Sequence, residues 1–270
     1  MKYSPKRFSK LLSLIVAMFF SLAQFQVGVM AADQPVNRPG QELAEKALQA
    51  SLNGKYDEAI SYADKVIQLK PDHAEDHAKA YFARGLALYN QGKKKEAISD
   101  LNWATNFWPT FLDAYVVRGN AKADLGMYDE AIADQDKALE LKPDYARAYS
   151  DRGFAYYKEG KYDKAIADST RSLELNPNDP NTLDTLGHVY FKKGDYDQAI
   201  QNYGKALQLN SKSGHRYMYR ATAYVQKKMY DEALADCQKG AELEPDLEEL
   251  YSLKGQAYAA KKEYDPALQS

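Results

Sequence analysis

Cysteine is nearly absent from this sequence, which has Cys237 alone among its 270 residues. A single cysteine cannot form a disulfide within the chain, so a fold stapled by internal disulfides is excluded. No motif that would activate a thiol accompanies Cys237. We therefore interpret it as a small apolar residue on the inner face of a helix.

Signatures of catalysis are missing as well. The sequence contains no glycine-rich phosphate loop, no GxSxG motif and no metal-binding cluster of convincing spacing. It also lacks a surplus of basic residues, with 36 Lys and Arg against 38 Asp and Glu, which suits it poorly to the phosphate backbone of nucleic acids. The sequence predicts a protein that is not an enzyme, holds no cofactor or metal and binds no nucleic acid.

A long hydrophobic run occurs only near the amino terminus, at Leu11–Ala23. Basic residues precede it and the small residues Ala31 and Ala32 follow it, an order typical of a cleaved signal peptide. We expect residues 1–32 to be removed and the protein to be periplasmic or secreted. The alternative is an uncleaved membrane anchor, because residues 11–31 are just long enough to span a bilayer.

Tyrosine, by contrast, is abundant: 22 Tyr stand against 2 Trp and 9 Phe, which suggests a repeated unit that carries tyrosine. The chain compared with itself does repeat, and one complete copy runs from Pro143 to Pro177. Copies end near residues 71, 109, 143, 177, 211 and 245. The last four intervals are 34 residues each, and the first is 38.

Each copy reads as two amphipathic helices. In the copy that ends at Pro177, Tyr149 and Gly153 recur at helical spacing on a first helix, and apolar residues after Ala165 do so on a second. Gly160 supplies the left-handed residue that ends the first helix, and Pro177 stops the second. Neither helix can bury its apolar stripe alone, so the copies must stack on one another.

The period and the residue pattern resemble the tetratricopeptide repeat family over residues 41–270. The resemblance is carried by aromatic residues and glycines of the first helix and by alanines of the second: Tyr81, Tyr115, Tyr149, Tyr217, Gly85, Gly119, Gly153, Gly187, Gly255, Ala59, Ala97, Ala131, Ala165, Ala199, Ala233 and Ala267. It implies an all-α fold, a right-handed superhelical solenoid of stacked antiparallel helix pairs with about six units and a partial seventh at residues 248–270. Residues 33–40 form the linker in this interpretation.

A second regularity pairs arginine with aspartate. An Arg one residue before the first-helix glycine position is followed sixteen residues later by an Asp in four copies: Arg84 and Asp100, Arg118 and Asp134, Arg152 and Asp168, Arg220 and Asp236. In the copy where the Arg is replaced by Leu186, the Asp is replaced by Asn202. We predict a structural ion pair between the two helices of each of these four units.

The second copy carries four extra residues after Pro71, which amount to about one helical turn, so its first helix is expected to begin near His73. His73 and His77 in this turn have a spacing that can hold a metal. No third ligand accompanies them, and we interpret them as solvated polar residues at a helix start.

In the tetratricopeptide family, ligands usually lie along the concave wall formed by the first helices. Carried over by position, this resemblance implies the following peptide-binding residues: Lys79, Phe82, Leu86, Tyr89, Asn120, Arg147, Phe154, Tyr157, Asp184, His188, Phe191, Met218 and Thr222. The alternative for each apolar member is packing against neighbouring helices. His188 is interpreted as a polar contact, since no partner for proton transfer is evident.

Some family members hold acidic chaperone tails with a basic clamp on this wall. The sequence departs from that clamp, because Val116, Ser150 and Phe154 stand where clamp contacts are needed. The predicted function is a non-catalytic scaffold or adaptor of the cell envelope or secreted fraction that binds a protein or peptide. The alternative is the repeat region of a longer envelope enzyme.

Overall fold

A computed structural model describes residues 38–70 and 73–261. The predicted signal peptide, most of the predicted linker and residues 262–270 lie outside the described residues. Within them, all regular secondary structure is α-helical, which confirms the predicted all-α class. The thirteen described helices are α1 Pro39–Leu52, α2 Tyr56–Leu69, α3 Ala74–Asn90, α4 Lys94–Phe107, α5 Leu112–Asp124, α6 Tyr128–Leu141, α7 Ala146–Lys158, α8 Tyr162–Leu175, α9 Pro180–Lys192, α10 Tyr196–Leu209, α11 Gly214–Gln226, α12 Tyr230–Leu243 and α13 Glu248–Ala260.

The described residues divide into two compact units, one up to residue 142 and the other from residue 143. The first unit contains three helix pairs, α1–α2, α3–α4 and α5–α6. The second contains three more, α7–α8, α9–α10 and α11–α12, followed by the single helix α13. Within each unit, the second helix of a pair packs on its own first helix and on the first helix of the next pair. The predicted stacking of helix pairs is thus observed inside each unit.

The turn inside each pair is set by local backbone chemistry. After α7, Gly160 adopts φ of 78°, a left-handed conformation that favours glycine. Its N–H donates to the carbonyl of Tyr157 at 3.0 Å, and the N–H of Lys161 donates to Tyr156 at 2.9 Å. These two bonds satisfy carbonyls that the end of a helix leaves open, and the chain reverses into α8. The predicted role of Gly160 is confirmed.

The two helices of a pair approach closely at the recurring glycine. A methyl group added to Gly153 on α7 would lie 2.9 Å from Oγ of Ser169 and 3.4 Å from the carbonyl oxygen of Ala165, both on α8. Glycine in a helix costs about 1 kcal/mol relative to alanine. The close crossing explains why that cost recurs at the same position.

The predicted ion pairs form in all four copies. In α7–α8, Nε and Nη2 of Arg152 donate to the carboxylate of Asp168 at 2.7 and 2.8 Å, and the guanidinium lies 5.5 Å from the ring centroid of Tyr149. The same two-bond geometry recurs at Arg84, Arg118 and Arg220. Each of these arginines therefore binds the aspartate of its own copy, as predicted.

The second copy begins early, as expected: α3 has 17 residues and its N-cap is His73. The interpretation of His77 as a solvated residue is wrong. Its ring is half-buried and stacks on Phe107 of α4 with 4.8 Å between ring centroids. The extra helical turn extends α3 over the end of α4, so His77 packs as an aromatic ring.

The interpretation of Cys237 is confirmed. The residue lies on α12 in a cluster with Met218, Leu250 and Leu253, and it is buried. Burial raises the pKa of its thiol to about 12, which keeps it protonated and unreactive at neutral pH. Among the described helices, none is long and apolar enough to cross a membrane.

Candidate functional site

Two of the candidate residues of the first unit belong to its core. Phe82 is 3% exposed and Leu86 is 1% exposed, and both pack in a hydrophobic cluster formed by α1 to α5. The ring of Phe82 lies 4.8 Å from that of Phe111, which precedes α5. Their prediction as ligand contacts is corrected: they pack against neighbouring helices and leave almost no surface for a partner.

The other candidates of the first unit keep partly exposed surface but contact their neighbours. The hydroxyl of Tyr89 donates to Asp124 at 3.2 Å, and Oδ1 of Asn120 accepts from Nε2 of Gln135 at 3.2 Å. Lys79 is also partly exposed, on α3. The candidate residues of the first unit that stay exposed thus form a short, mainly polar face.

The second unit presents a richer surface, which we name the second-unit wall. It consists of the partly exposed candidate residues on α7, α9 and α11: Arg147, Phe154, Tyr157, Asp184, His188, Phe191 and Thr222. Met218, also predicted here, is 8% exposed and packs beside Cys237, so it is corrected to a core residue. The hydroxyl of Thr222 donates to the carbonyl of Met218 on its own helix at 2.8 Å.

An aromatic cluster surrounds His188 at the centre of this wall. The imidazole stacks on Tyr157 at 5.7 Å between centroids and meets the edge of Tyr219 at 4.5 Å. Tyr203, from α10, closes the cluster at 5.5 Å. The structure therefore brings three helices, α7, α10 and α11, around one side chain of α9.

His188 has a partner that the sequence interpretation missed. The hydroxyl of Tyr203 lies 2.7 Å from Nδ1 of His188, and Tyr203 itself is 2% exposed. The sequence did contain a signal for this contact. Tyr203 stands sixteen residues after the first-helix glycine position, where other copies carry Leu101, Gln135, Ser169 or Cys237. Tyr203 is the one aromatic residue among these equivalent positions, which indicates a contact that the other copies do not make.

The imidazole of His188 is neutral at physiological pH. Burial, together with the positive charges of Lys158 and Lys192, lowers the pKa of His188 to about 4. Lys158 lies over the wall itself, with its ammonium 5.2 Å from the ring centroid of Phe154 and 5.7 Å from that of Tyr157. Lys192, the last residue of α9, makes no hydrogen bond or ion pair within the described part of the chain.

Asp184 is engaged inside the protein. Nε of Arg216, on α11, donates to Oδ2 of Asp184 at 2.7 Å, and Nη2 donates to Oδ1 of Asn181 at 3.2 Å. Burial raises the pKa of Asp184 to about 6, although Arg216 acts in the opposite direction. Sequence reasoning missed Arg216, because its Asp partner is 32 residues away and the pair does not recur in other copies.

Comparison with protein families agrees with the pattern read from the sequence. Profiles described as TPR repeat or tetratricopeptide repeat match residues 119–160, 144–212 and 190–257. A profile of anaphase-promoting complex, cyclosome, subunit 3 matches residues 52–138. Together the matches extend over most of the described residues. The chain belongs to the tetratricopeptide repeat family.

Solved structures share the fold. A tetratricopeptide repeat protein from Parabacteroides merdae is 21% identical, with 86% of this chain and 90% of that chain covered and a TM-score of 0.67. A chain of the APC/C hetero-tetramer Cut9–Hcn1 is also 21% identical and covers 95% of this chain, over 47% of its own length, with a TM-score of 0.70. MamA is 26% identical over 60% of this chain and 94% of its own, with a TM-score of 0.53. No curated protein sequence gives a significant match.

Proposed function

We propose that this chain is a non-catalytic interaction scaffold or adaptor, and that its second-unit wall holds a peptide segment of another protein. The observation that carries the proposal is the row of large apolar side chains, Phe154, Tyr157 and Phe191, that stay partly exposed beside polar groups on adjacent helices. Core packing buries Phe82 and Met218, whereas this row keeps exposed surface even where it also packs inward, as Phe191 does against a cluster of α10 and α11. Aromatic side chains in such positions are typical anchors for a bound peptide.

The wall is also well ordered for recognition. The rings of Tyr157 and His188 stack on each other, and Arg216 ties α11 to α9 through Asp184. A surface whose side chains are already fixed loses less conformational entropy when a partner binds. The helix pairs therefore act as a rigid support for a short stretch of exposed contacts.

We expect the double variant Phe154→Ala with Phe191→Ala to weaken partner binding at least about tenfold, because two anchors are each worth more than about 1 kcal/mol when truncated. Photo-crosslinking in cells from position 191 first identifies the partner by mass spectrometry. Titration calorimetry of that partner with the wild-type and variant chains then gives the change in Kd. Far-UV circular dichroism should show unchanged helix content.

The matched control is Leu209→Ala with Leu243→Ala, which removes two exposed apolar side chains from the second helices of the same unit. This control should bind as the wild type does, and a crosslinker at position 209 should give no adduct. Undiminished affinity in a folded Phe154 and Phe191 double variant would contradict the proposed wall. Unfolding of that variant would indicate that both residues belong to the core.

We further propose that the protein acts after export, in the periplasm or secreted fraction. The support is the order of basic, apolar and small residues over residues 1–32. Amino-terminal sequencing of the native protein should begin near Ala32 or Asp33. Intact Met1 in a membrane fraction would instead favour the anchor at residues 11–31.

A further inference from the structure

The hydrogen bond between Tyr203 and His188 fixes which ring nitrogen carries the proton. A neutral imidazole has one N–H group and one acceptor nitrogen. A phenol hydroxyl is a good donor, and the 2.7 Å contact joins it to Nδ1. We assign Tyr203 as the donor and Nδ1 as the acceptor, which places the imidazole proton on Nε2.

The Nε2 atom of His188 is available to a partner. It forms no hydrogen bond with a described residue, and the His188 side chain is partly exposed on the wall. Three tyrosine rings hold the imidazole in place. The wall therefore presents a fixed N–H donor.

The charges near this donor favour an acceptor that is negative. The positive charges of Lys158 and Lys192 both lower the pKa of His188. The carboxylates on the same helices, by contrast, are paired: Asp184 with Arg216, and Asp151 with Arg147 at 3.4 Å. The surface beside His188 is thus locally positive in a chain whose formal net charge is −2.

We infer that the second-unit wall recognises a partner segment in which an aspartate or glutamate side chain stands beside an apolar side chain. The carboxylate accepts from Nε2 of His188 and pairs with Lys192, and the apolar side chain packs on Phe154, Tyr157 and Phe191. An N–H donor and an ammonium are a donor set that suits a carboxylate. This inference rests on the proposed function and names the chemistry of its ligand.

Selection from a library of random dodecapeptides tests it. The peptides are displayed on phage with the carboxyl end fused to the coat protein, so that no free terminal carboxylate is present, and the full chain is the immobilised target. Enriched peptides should carry Asp or Glu next to Phe, Leu, Ile or Tyr. Enrichment of Lys or Arg, or no enrichment of acidic residues, would overturn the inference.

One enriched peptide, resynthesised with both ends capped, separates charge recognition from general binding. Lys192→Ala should raise its Kd about tenfold, and replacing its acidic residue by Gln should weaken wild-type binding by a similar factor. The Gln peptide should not distinguish Lys192→Ala from wild type. The matched control is Lys193→Ala, since the ammonium of Lys193 pairs with Asp163 at 2.6 Å, and this variant should change Kd less than twofold.

Failure of the ligand chemistry is distinguishable from failure of the wall. If the enriched peptides lose binding in the Phe154→Ala and Phe191→Ala double variant but are indifferent to Lys192→Ala, the wall stands and the acidic ligand is wrong. If no peptide depends on Phe154 and Phe191, the proposed function itself is wrong. A long-range ¹H–¹⁵N spectrum should show the Nε2–H tautomer of His188, and the Nδ1–H tautomer would overturn its role as donor.

Discussion

Replacing Asp168 by alanine should lower the free energy of unfolding by about 3–5 kcal/mol, the usual cost of removing one partner of a buried ion pair. Asp168 is buried and accepts two hydrogen bonds from Arg152, whose guanidinium also lies against Tyr149. The variant leaves this guanidinium without its carboxylate between two helices. Urea denaturation followed by circular dichroism measures the loss.

The fifth copy supplies a compensated version of the same site. There Leu186 and Asn202 replace the Arg and the Asp, Leu186 is buried, and Nδ2 of Asn202 donates to the carbonyl of Gln198 at 2.8 Å. The double variant Arg152→Leu with Asp168→Asn should therefore recover most of the stability that Asp168→Ala loses. A loss of stability in the double variant equal to the sum of the losses in Arg152→Leu alone and Asp168→Asn alone would contradict the coupling between the two positions.

An exposed pair in the same unit is the control for charge alone. Asp163, paired with Lys193, is 90% exposed, and Asp163→Ala should cost at most about 1 kcal/mol, the range of surface ion pairs. A comparable loss at both sites would show that burial does not set the strength of the Arg152 pair.

Features that recur in several copies could be predicted from the sequence. The left-handed turn at Gly160 and the Arg152 pair each have equivalents in other copies, and the joint loss at Leu186 and Asn202 marked two positions as partners. Repetition reveals such contacts because a contact between helices of one copy keeps the same residue spacing in every copy.

Repetition could not show which positions of the first helices are exposed and which are buried. Phe82, Val116, Ser150, Asp184 and Met218 occupy equivalent positions of successive copies, and the structure buries all of them except Asp184, which is partly exposed. Residues four or seven positions later, such as Phe154 and Tyr157, stay partly exposed, with the exception of the buried Leu86. All these positions lie within one broad helix face, so the positions carried over from the family resemblance fell on the same wall, and only the packing of adjacent helices divides them.

Contacts that occur once were also beyond sequence reasoning. His188 and Tyr203 are 15 residues apart on different helices, and Asp184 and Arg216 are 32 apart. Other copies place different side chains at these spacings, as in the hydrogen bonds of Gln135 to Asn120 and of Thr182 to Ser150, so no repeated residue pair marks them. These single contacts lie in the second-unit wall, where a repeat protein must depart from its repeat to recognise one partner.

Replacing Gly187 by alanine should destabilise the second unit by about 3 kcal/mol, the upper part of the range for overpacking a core. The added methyl group would lie 2.6 Å from Cδ1 and 2.8 Å from Cζ of Tyr203. The buried Tyr203 ring is held by His188 and Tyr219, so it has no free direction in which to move. The loss should exceed the gain of about 1 kcal/mol that alanine brings to a helix.

Gly153→Ala is the matched control, because the equivalent methyl group meets the small side chain of Ser169, which can rotate away. Its change in stability should stay within about 1 kcal/mol. In a Tyr203→Ser background, which copies Ser169 into the fifth pair, Gly187→Ala should become neutral or stabilising. If Gly187→Ala stayed equally destabilising without the ring, the clash would not be its cause.

The Tyr203→Ser chain would also lose the phenol hydroxyl that orients His188, so its affinity for an acidic peptide should fall. The control variant Lys193→Ala should leave that affinity unchanged.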